Sequence, residues 1–255
     1  MAELRRLLID RHRLEQIMGL EIPLSLNNKE GHYLKRVLRL KSGDLVALVD
    51  GYGNLWEAAF QGGNELLLTT PLDSPLQIQP RPKPLICLAV VIPKRGLDDV
   101  LRMSTEIGID IIQPLTSERC CVKEKSIVRV ERWRAIVREA VEQSERLWSP
   151  QLLETIDFYE FLNIVPAFNL GIATTRLAKS KNCDHWLKEK FIDAERIWIA
   201  IGPEGGWTSK EEALALNSGC EPIQLGETIL RTSTAAIVAS QSMALGRRTV
   251  NLSLK

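Results

Sequence analysis

The residue run best suited to chemistry lies near the carboxyl end of the chain: Gly202-Pro203-Glu204-Gly205-Gly206-Trp207-Thr208-Ser209-Lys210-Glu211-Glu212. It follows an apolar stretch, residues 196–201, that reads as a buried strand. Thr208 with Glu211 three residues later is a capping box, the signature of a helix start. The order is therefore strand, glycine loop, helix, and in α/β folds ligands bind at the carboxyl ends of strands. Glycine lacks a Cβ, so backbone N–H and C=O groups there can approach a ligand closely. Taken alone, the loop reads equally as a ligand cradle or as a tight βα turn.

The arrangement recurs one strand later. Pro222-Ile223-Gln224-Leu225-Gly226 leads into Glu227-Thr228-Ile229-Leu230-Arg231-Thr232-Ser233, and a helix is expected from Thr234. Two successive ligand-facing loops are harder to attribute to chance than one. Residues 234–246 carry no charge, so this helix is expected either to be buried nearly all round or to pack against another subunit. The phosphate-loop motif is absent, and no Gly-x-Gly-x-x-Gly follows the first strand of the α/β region, which disfavours a kinase or a nicotinamide dehydrogenase.

A third constellation is cationic. In His32-Tyr33-Leu34-Lys35-Arg36-Val37-Leu38-Arg39-Leu40, helical spacing puts His32, Lys35, Arg36 and Arg39 on one face and Leu34, Val37 and Leu38 on the other. Three cations without an interleaved acid suit phosphate contact as well as they suit a solvated face. Lys94, Glu106, Ser117-Glu118-Arg119-Cys120 and Glu142 to Arg146 are each read as surface clusters. The set at 117–119 gains weight because it follows a strand's carboxyl end. Five scattered cysteines never form C-x-x-C and the three histidines lie far apart, so neither a disulfide framework nor a metal site is expected, and a reduced compartment is.

These residues need a scaffold, and the patterning supplies one. From Leu45 to Thr70, short β-type runs alternate with the turn signals Asp50-Gly51-Tyr52-Gly53-Asn54 and Gly62-Gly63-Asn64, which predicts a small barrel-like module. Residues 71–84 hold five prolines and read as a linker. Beyond it, strands at 86–92, 111–115, 170–174, 196–201 and 222–225 alternate with helices at 97–108 and 130–146, the pattern of a mostly parallel sheet covered by helices. We expect domains at 1–72 and 85–255, joined by residues 73–84. The most apolar run, residues 85–92, is far below the roughly 18 residues of a membrane span, and the first ten residues lack a signal peptide's apolar core, so a cytoplasmic protein is expected. The net charge is only +1, yet residues 1–41 hold nine Lys and Arg against five Asp and Glu. Any nucleic acid would have to be gripped by a local patch.

Together, these motifs closely resemble the RsmE family of SPOUT methyltransferases. The match runs through His32 to Leu40, Pro93-Lys94, Glu106-Ile107-Gly108, Ser117 to Cys120, Glu142-Gln143-Ser144, Ile201 to Gly206 and Leu225-Gly226 with Ile229-Leu230-Arg231-Thr232. The resemblance implies an α/β fold with a PUA-like β-barrel RNA-binding domain at the amino end and a trefoil-knotted methyltransferase domain at the carboxyl end. It also implies a homodimer that uses S-adenosyl-L-methionine to methylate N3 of a uridine in 16S rRNA of the small ribosomal subunit. It puts cofactor contacts at Thr174, Ile201, Gly202, Pro203, Glu204, Gly205, Leu225, Gly226, Ile229, Leu230 and Thr232, and RNA contacts at His32, Lys35, Arg36, Arg39, Lys94, Arg119 and Arg146. Uracil N3 must lose a proton, which leaves negative charge on the ring carbonyls; Arg231 is the expected stabilising cation. Two positions depart from the family pattern: Ser233 stands where glutamate is usual, and Glu145 where glycine is usual. A catalytically weakened RNA-binding or ribosome-assembly factor is the alternative, with Ser233 as its hint; an α/β enzyme using another adenine nucleotide is disfavoured by the missing phosphate loops.

Overall fold

A computed structural model of the chain describes residues 4–16, 22–120, 127–174, 177 and 180–253. The chain divides into two compact units, Met1–Arg81 with Arg138–Ser149, and Pro82–Val137 with Pro150–Lys255.

The first unit contains β1 (Arg6–Leu8), α1 (Arg11–Glu15), β2 (Leu24–Ser25), α2 (Asn28–His32), β3 (Leu45–Val49), β4 (Asn54–Gly62), β5 (Glu65–Leu68) and β6 (Gln77–Ile78). They form one sheet in the order β1-β3-β4-β5-β2, with β6 added to β4 from within the proline-rich stretch. The β3–β4 and β4–β5 hairpins are antiparallel, and β1 lies parallel to β3. Alternation of side chains serves both faces: Val46, Leu48, Trp56, Ala58, Phe60 and Leu66 point into one core with Leu7, Leu14 and Leu34. Ala47, Val49 and Leu55 pack with Leu147 on the other.

The segment expected to be a basic helix is not one regular helix. After α2, residues Tyr33–Val37 form a wide π-helical turn, and Arg39 takes a left-handed conformation, φ 57°. Only Leu34 is buried, whereas Val37 is 60% exposed, so the expected apolar face of three residues is corrected to one fully buried anchor flanked by the half-buried Leu38. A π turn holds more residues per turn than an α-helix, which rotates Val37 off the packed side. His32, Lys35, Arg36 and Arg39 all remain exposed.

The second unit contains β7 (Leu85–Val91), α3 (Leu97–Ile107), β8 (Ile111–Thr116), most of α4 (Ile127–Gln143), β9 (Gln151–Leu152), β10 (Ile156–Asp157), α5 (Phe158–Ile164), β11 (Leu170–Ala173), β12 (Lys181–Asn182), α6 (Cys183–Lys190), β13 (Arg196–Ile201), α7 (Ser209–Asn217), β14 (Glu221–Gln224) and α8 (Thr232–Ser253). The sheet order is β10-β8-β7-β13-β11-β14-β12, with β9 on β8, and every pairing in it is parallel. All seven side chains of β7 are buried, as a strand covered on both faces requires. α4 ends at Gln143, three residues before the expected limit, because Glu145 adopts φ 58° and closes the helix. α8 is longer than expected and is not buried all round: Ala235, Ala236, Ala239, Ser240 and Met243 face the core, while Thr234, Gln241 and Leu245 are exposed.

Candidate active site

Because β8, β7, β13, β11 and β14 are parallel neighbours in that order, their carboxyl ends form one continuous rim. It carries, in the same order, Ser117 to Cys120, Lys94, the loop 202–208, Thr174 and the loop 225–231. Residues 30 to 140 positions apart in sequence meet there, and eleven of the expected cofactor positions fall on the three adjoining strand ends of β13, β11 and β14.

Hydrogen bonds weld the rim together. Thr232 Oγ1 donates to Gly202 O at 3.1 Å, which joins the two glycine loops. The Trp207 indole N–H donates to Ala173 O at 3.1 Å, and Thr174 N donates to Ile223 O at 2.9 Å, so β11 is tied to both loops. Arg119 Nη1 donates to Gly205 O at 2.8 Å and to Trp207 O at 3.3 Å. Lys94 N donates to the Glu204 carboxylate at 2.8 Å. Trp207 stacks on Phe158 with ring centroids 4.2 Å apart, and a Cβ built on Gly202 would lie 3.0 Å from the Trp207 ring. A side chain at 202 would crowd the Trp207 ring, so packing as well as any ligand favours glycine there.

The capping box has a second purpose that the sequence did not announce. Glu211 is fully buried; its carboxylate accepts from Thr208 N at 2.8 Å and from Glu118 N at 3.0 Å. One acid thus fixes the start of α7 and the loop after β8 together. Glu118 in turn accepts a hydrogen bond from the Tyr159 hydroxyl and pairs with Lys210 at 3.5 Å. The Tyr159 bond holds the Glu118 carboxyl below the usual range and raises the Tyr159 phenol.

The expected residues separate by role. Ile201 and Pro203 are buried supports, and Glu204 and Arg119 brace the loop. The Lys94 side chain is exposed. Gly226 and Ile229 are exposed, Leu225 and Leu230 half-buried, and a Cβ on Gly226 would meet no atom within 4 Å. Among the described residues, positions 226–230 exchange no backbone hydrogen bonds, so a largely exposed run of amide donors and acceptors is left without backbone partners. Such a loop offers backbone donors and acceptors to a ligand, with the exposed Glu227 and Arg231 as its charged side chains. Arg231 is exposed, and no side chain among the described residues partners its guanidinium. Ser233 lies in the first turn of α8, where a Cβ built on Gly96 would sit 3.6 Å from its own. Among the described residues no group of acids, histidines and cysteines could hold a metal ion. Burial pushes the Cys183 thiol up to about 12 and that of Cys220 to about 11, so neither is a nucleophile at neutral pH.

Arg146 is half-buried in the first unit. In that unit the helical residues Glu142 and Arg138 join Glu30 and Arg13: Arg138 pairs with Glu142 and with Glu30, each at 3.3 Å, and Arg13 with Glu30 at 2.7 Å. Burial raises the Glu142 carboxyl, opposed by the Leu8 N–H that it accepts at 2.9 Å.

Residues 79–244 match the model of an RNA methyltransferase domain, and residues 26–69 that of an RNA methyltransferase PUA domain. The ribosomal RNA small subunit methyltransferase E of Synechocystis sp. is 39% identical over 232 residues, 88% of this chain and 73% of that protein. The enzyme of that name from Rickettsia conorii is 34% identical, covering 84% and 86% of the two chains. A methyltransferase from Legionella pneumophila, solved with its cofactor SAM, superposes with a TM-score of 0.81 at 26% identity over 95% of this chain and 98% of that one. The ribosomal RNA small subunit methyltransferase E of Neisseria gonorrhoeae, bound to S-adenosyl methionine, gives 0.77 at 28% identity, with the same coverage of each chain. With the model covering most of its length and the rim built from the same loops that the motifs marked, this chain belongs to the ribosomal RNA small subunit methyltransferase E family of RNA methyltransferases.

Proposed function

We propose that the chain methylates N3 of a uridine in 16S rRNA of the small ribosomal subunit, using S-adenosylmethionine, in the cytoplasm and as a homodimer. The observation that carries this reading is the run of unspent backbone groups at 226–230, tied through Thr232 to the glycine loop at 202, in a chain of this family. When bound, the cofactor supplies an electrophilic methyl group on a sulfonium. The loops 202–205 and 225–230 would hold its adenine and methionine parts by backbone contacts, with Thr174 at the end of the strand between them.

The protein's contribution is mainly alignment, because displacement at a methyl group needs nucleophile and leaving group in line and little covalent help. Arg231, whose guanidinium has no side-chain partner among the described residues, stabilises the negative charge that spreads onto the uracil carbonyls as N3 loses its proton. N3 lies on the Watson–Crick edge, so the target base must be unpaired or drawn from its helix. Lys35, Arg36 and Arg39, with His32, position the RNA through its phosphates. The exposed outer side of the uncharged α8 segment supports the homodimer, and the order β13-β11-β14-β12, in which a later strand lies between two earlier ones, supports a trefoil-knotted connection.

The test is incubation with labelled S-adenosylmethionine and small subunits lacking their own methylation, followed by nuclease digestion and mass analysis. Appearance of 3-methyluridine in 16S rRNA is the expected result. A different methylated base would overturn the substrate assignment, and cofactor binding without transfer would overturn the activity.

A further inference from the structure

The first unit carries a feature that the methyl-transfer reading does not use. The turn between β3 and β4 holds Tyr52 outward, 58% exposed, and the segment after α4 brings Trp148 beside it. Their rings meet edge to face, with centroids 6.4 Å apart. The Arg11 guanidinium lies 6.0 Å from the Tyr52 centroid, and that of Arg81 lies 5.5 Å from the Trp148 centroid. The result is a surface ladder, Arg11, Tyr52, Trp148, Arg81, in which two π systems are flanked by two planar cations.

This ladder is built, not incidental. The Asp50 carboxylate accepts from Tyr52 N at 2.7 Å, Asn54 N at 3.1 Å and Asn54 Nδ2 at 2.7 Å, which fixes the turn. Gly53 N donates to Leu147 O at 2.9 Å and Ser149 N to Gly51 O at 3.0 Å, so residues 147–149 clamp onto the turn as a short added strand. The Trp148 indole N–H donates to Gln79 O at 2.9 Å, which locks the ring. A Cβ on Gly53, which has φ 96°, would lie 2.4 Å from Gln79 O and 2.7 Å from the Trp148 ring. Nothing larger than glycine fits beneath the platform. Arg11 also borders an open cavity of about 650 Å³ beside Asn54 and Ile78, so a strand crossing the ladder meets a recess at that end.

We infer that Arg11, Tyr52, Trp148 and Arg81 form a stacking platform for unpaired RNA nucleotides, separate from the basic patch at Lys35 and Arg36. Exposed aromatic faces with arginine planes beside them are the chemistry that holds single-stranded bases, without regard to sequence. Aromatic and arginine side chains also serve protein contacts, but while Glu15, paired with Arg11 at 2.9 Å, and Asp50 both act on Arg11, no acid among the described residues pairs with Arg81, so the Trp148–Arg81 end of the ladder stays cationic and favours a polyanion. The inference rests on the proposed RNA substrate and adds a second place where that RNA is held.

The experiment uses the full chain and an unstructured ten-nucleotide oligoribonucleotide of adenine and cytosine, with inorganic polyphosphate as a charge-only probe. Five of the six tryptophans are buried and Trp148 is not, so stacking is read as quenching of its emission. We expect the oligonucleotide to quench and polyphosphate not to. Tyr52→Ala should weaken oligonucleotide binding about tenfold, and Arg81→Ala severalfold, with cofactor affinity within twofold of the parent as proof of folding. On small subunits, Tyr52→Ala should raise KM with kcat unchanged. Oligonucleotide binding within twofold of the parent in both variants, or binding without quenching, would overturn the platform. So would a raised KM on subunits without any effect on the oligonucleotide, which would mark a protein contact. Quenching by the oligonucleotide in a protein that leaves 16S rRNA unmethylated would uphold the platform and defeat the substrate assignment alone.

Discussion

Arg231 occupies the second glycine loop with its side chain exposed and its carbonyl accepting from Ala235 N at 2.8 Å, so its backbone starts α8 while its guanidinium has no side-chain partner among the described residues. Truncating it should therefore spare the fold. Arg231→Ala is expected to lower kcat about 10²-fold, the usual loss for a group that stabilises developing negative charge, while cofactor affinity by calorimetry stays within about twofold. Turnover near that of the parent would remove Arg231 from the catalytic role. Glu145 poses the opposite question, since it holds φ 58° where the family resemblance implies glycine. A left-handed non-glycine residue costs about 1 kcal/mol, and the part-buried pair that Glu145 makes with Arg6 at 3.1 Å returns about 0.5 kcal/mol. Glu145→Ala keeps the strain and loses the pair, so it should be less stable by about 0.5 kcal/mol. Glu145→Gly loses both terms and also keeps the Arg6 bond to the carbonyl of residue 145. In urea titrations the glycine variant should exceed the alanine variant by about 1 kcal/mol; equal midpoints would show that the left-handed geometry carries no cost here.

Among the elements, β14 depends on one acid. Glu221 opens the strand and accepts Lys181 Nζ at 2.7 Å from β12, and Lys190 Nζ at 2.6 Å and the Trp186 indole N–H at 3.2 Å from α6. Burial alone would raise its carboxyl, but these donors outweigh burial and hold it at about 2. A carboxyl lowered on folding contributes stability that is present above its unfolded value of about 4.5 and fades as pH falls toward 2. Glu221→Gln should cost about 1–2 kcal/mol at pH 7, as for a partly buried charged hydrogen-bond acceptor, and the difference from the parent should shrink between pH 4.5 and 2. A pH-independent difference would mean that the charge is not what joins the elements. Much of this layer was legible in the sequence. The Thr208–Glu211 cap and the strands 196–201 and 86–92 follow from local residue types, and the structure has them within a residue. What escaped was set by distant partners. The bond from Glu118 N to Glu211 spans 93 positions, the wide turn at Tyr33–Val37 replaces the expected α-helix, and the uncharged start of α8 is exposed at Thr234, Gln241 and Leu245, so composition could not tell core from surface. The glycine loops were readable because glycine marks backbone approach; the bracing by Arg119 and Glu204 was not, because a charged side chain carries no sign of whether it faces solvent or a carbonyl.

For the molecule as a whole, a net charge of +1 on 255 residues means that no general basic field draws it to ribosomal RNA. Attraction has to come from a few cations, and the amino-terminal unit supplies them: Lys35 and Arg36 are exposed on the wide turn, with Lys35 Nζ held by Asn64 Oδ1 at 2.9 Å. Each phosphate neutralised by such a group contributes about 0.7 on single strands, and about 0.9 on B-form duplex, to the slope of log K against log salt. A protein gripping RNA through this patch should therefore show a shallow slope, about 3 to 5, and not the steep dependence of a generally basic protein. Replacing Lys35 and Arg36 together by Ala should lower the slope by about 2 and weaken binding to every RNA tested to a similar degree, because phosphates carry no sequence. Filter binding to 16S rRNA between 50 and 200 mM salt gives both quantities. If the double variant loses affinity while the slope stays at the parent's value, the two residues act through the fold of the turn; if the slope falls by the expected amount while cofactor affinity is unchanged, Lys35 and Arg36 grip phosphates directly and supply about half of the molecule's electrostatic hold on RNA.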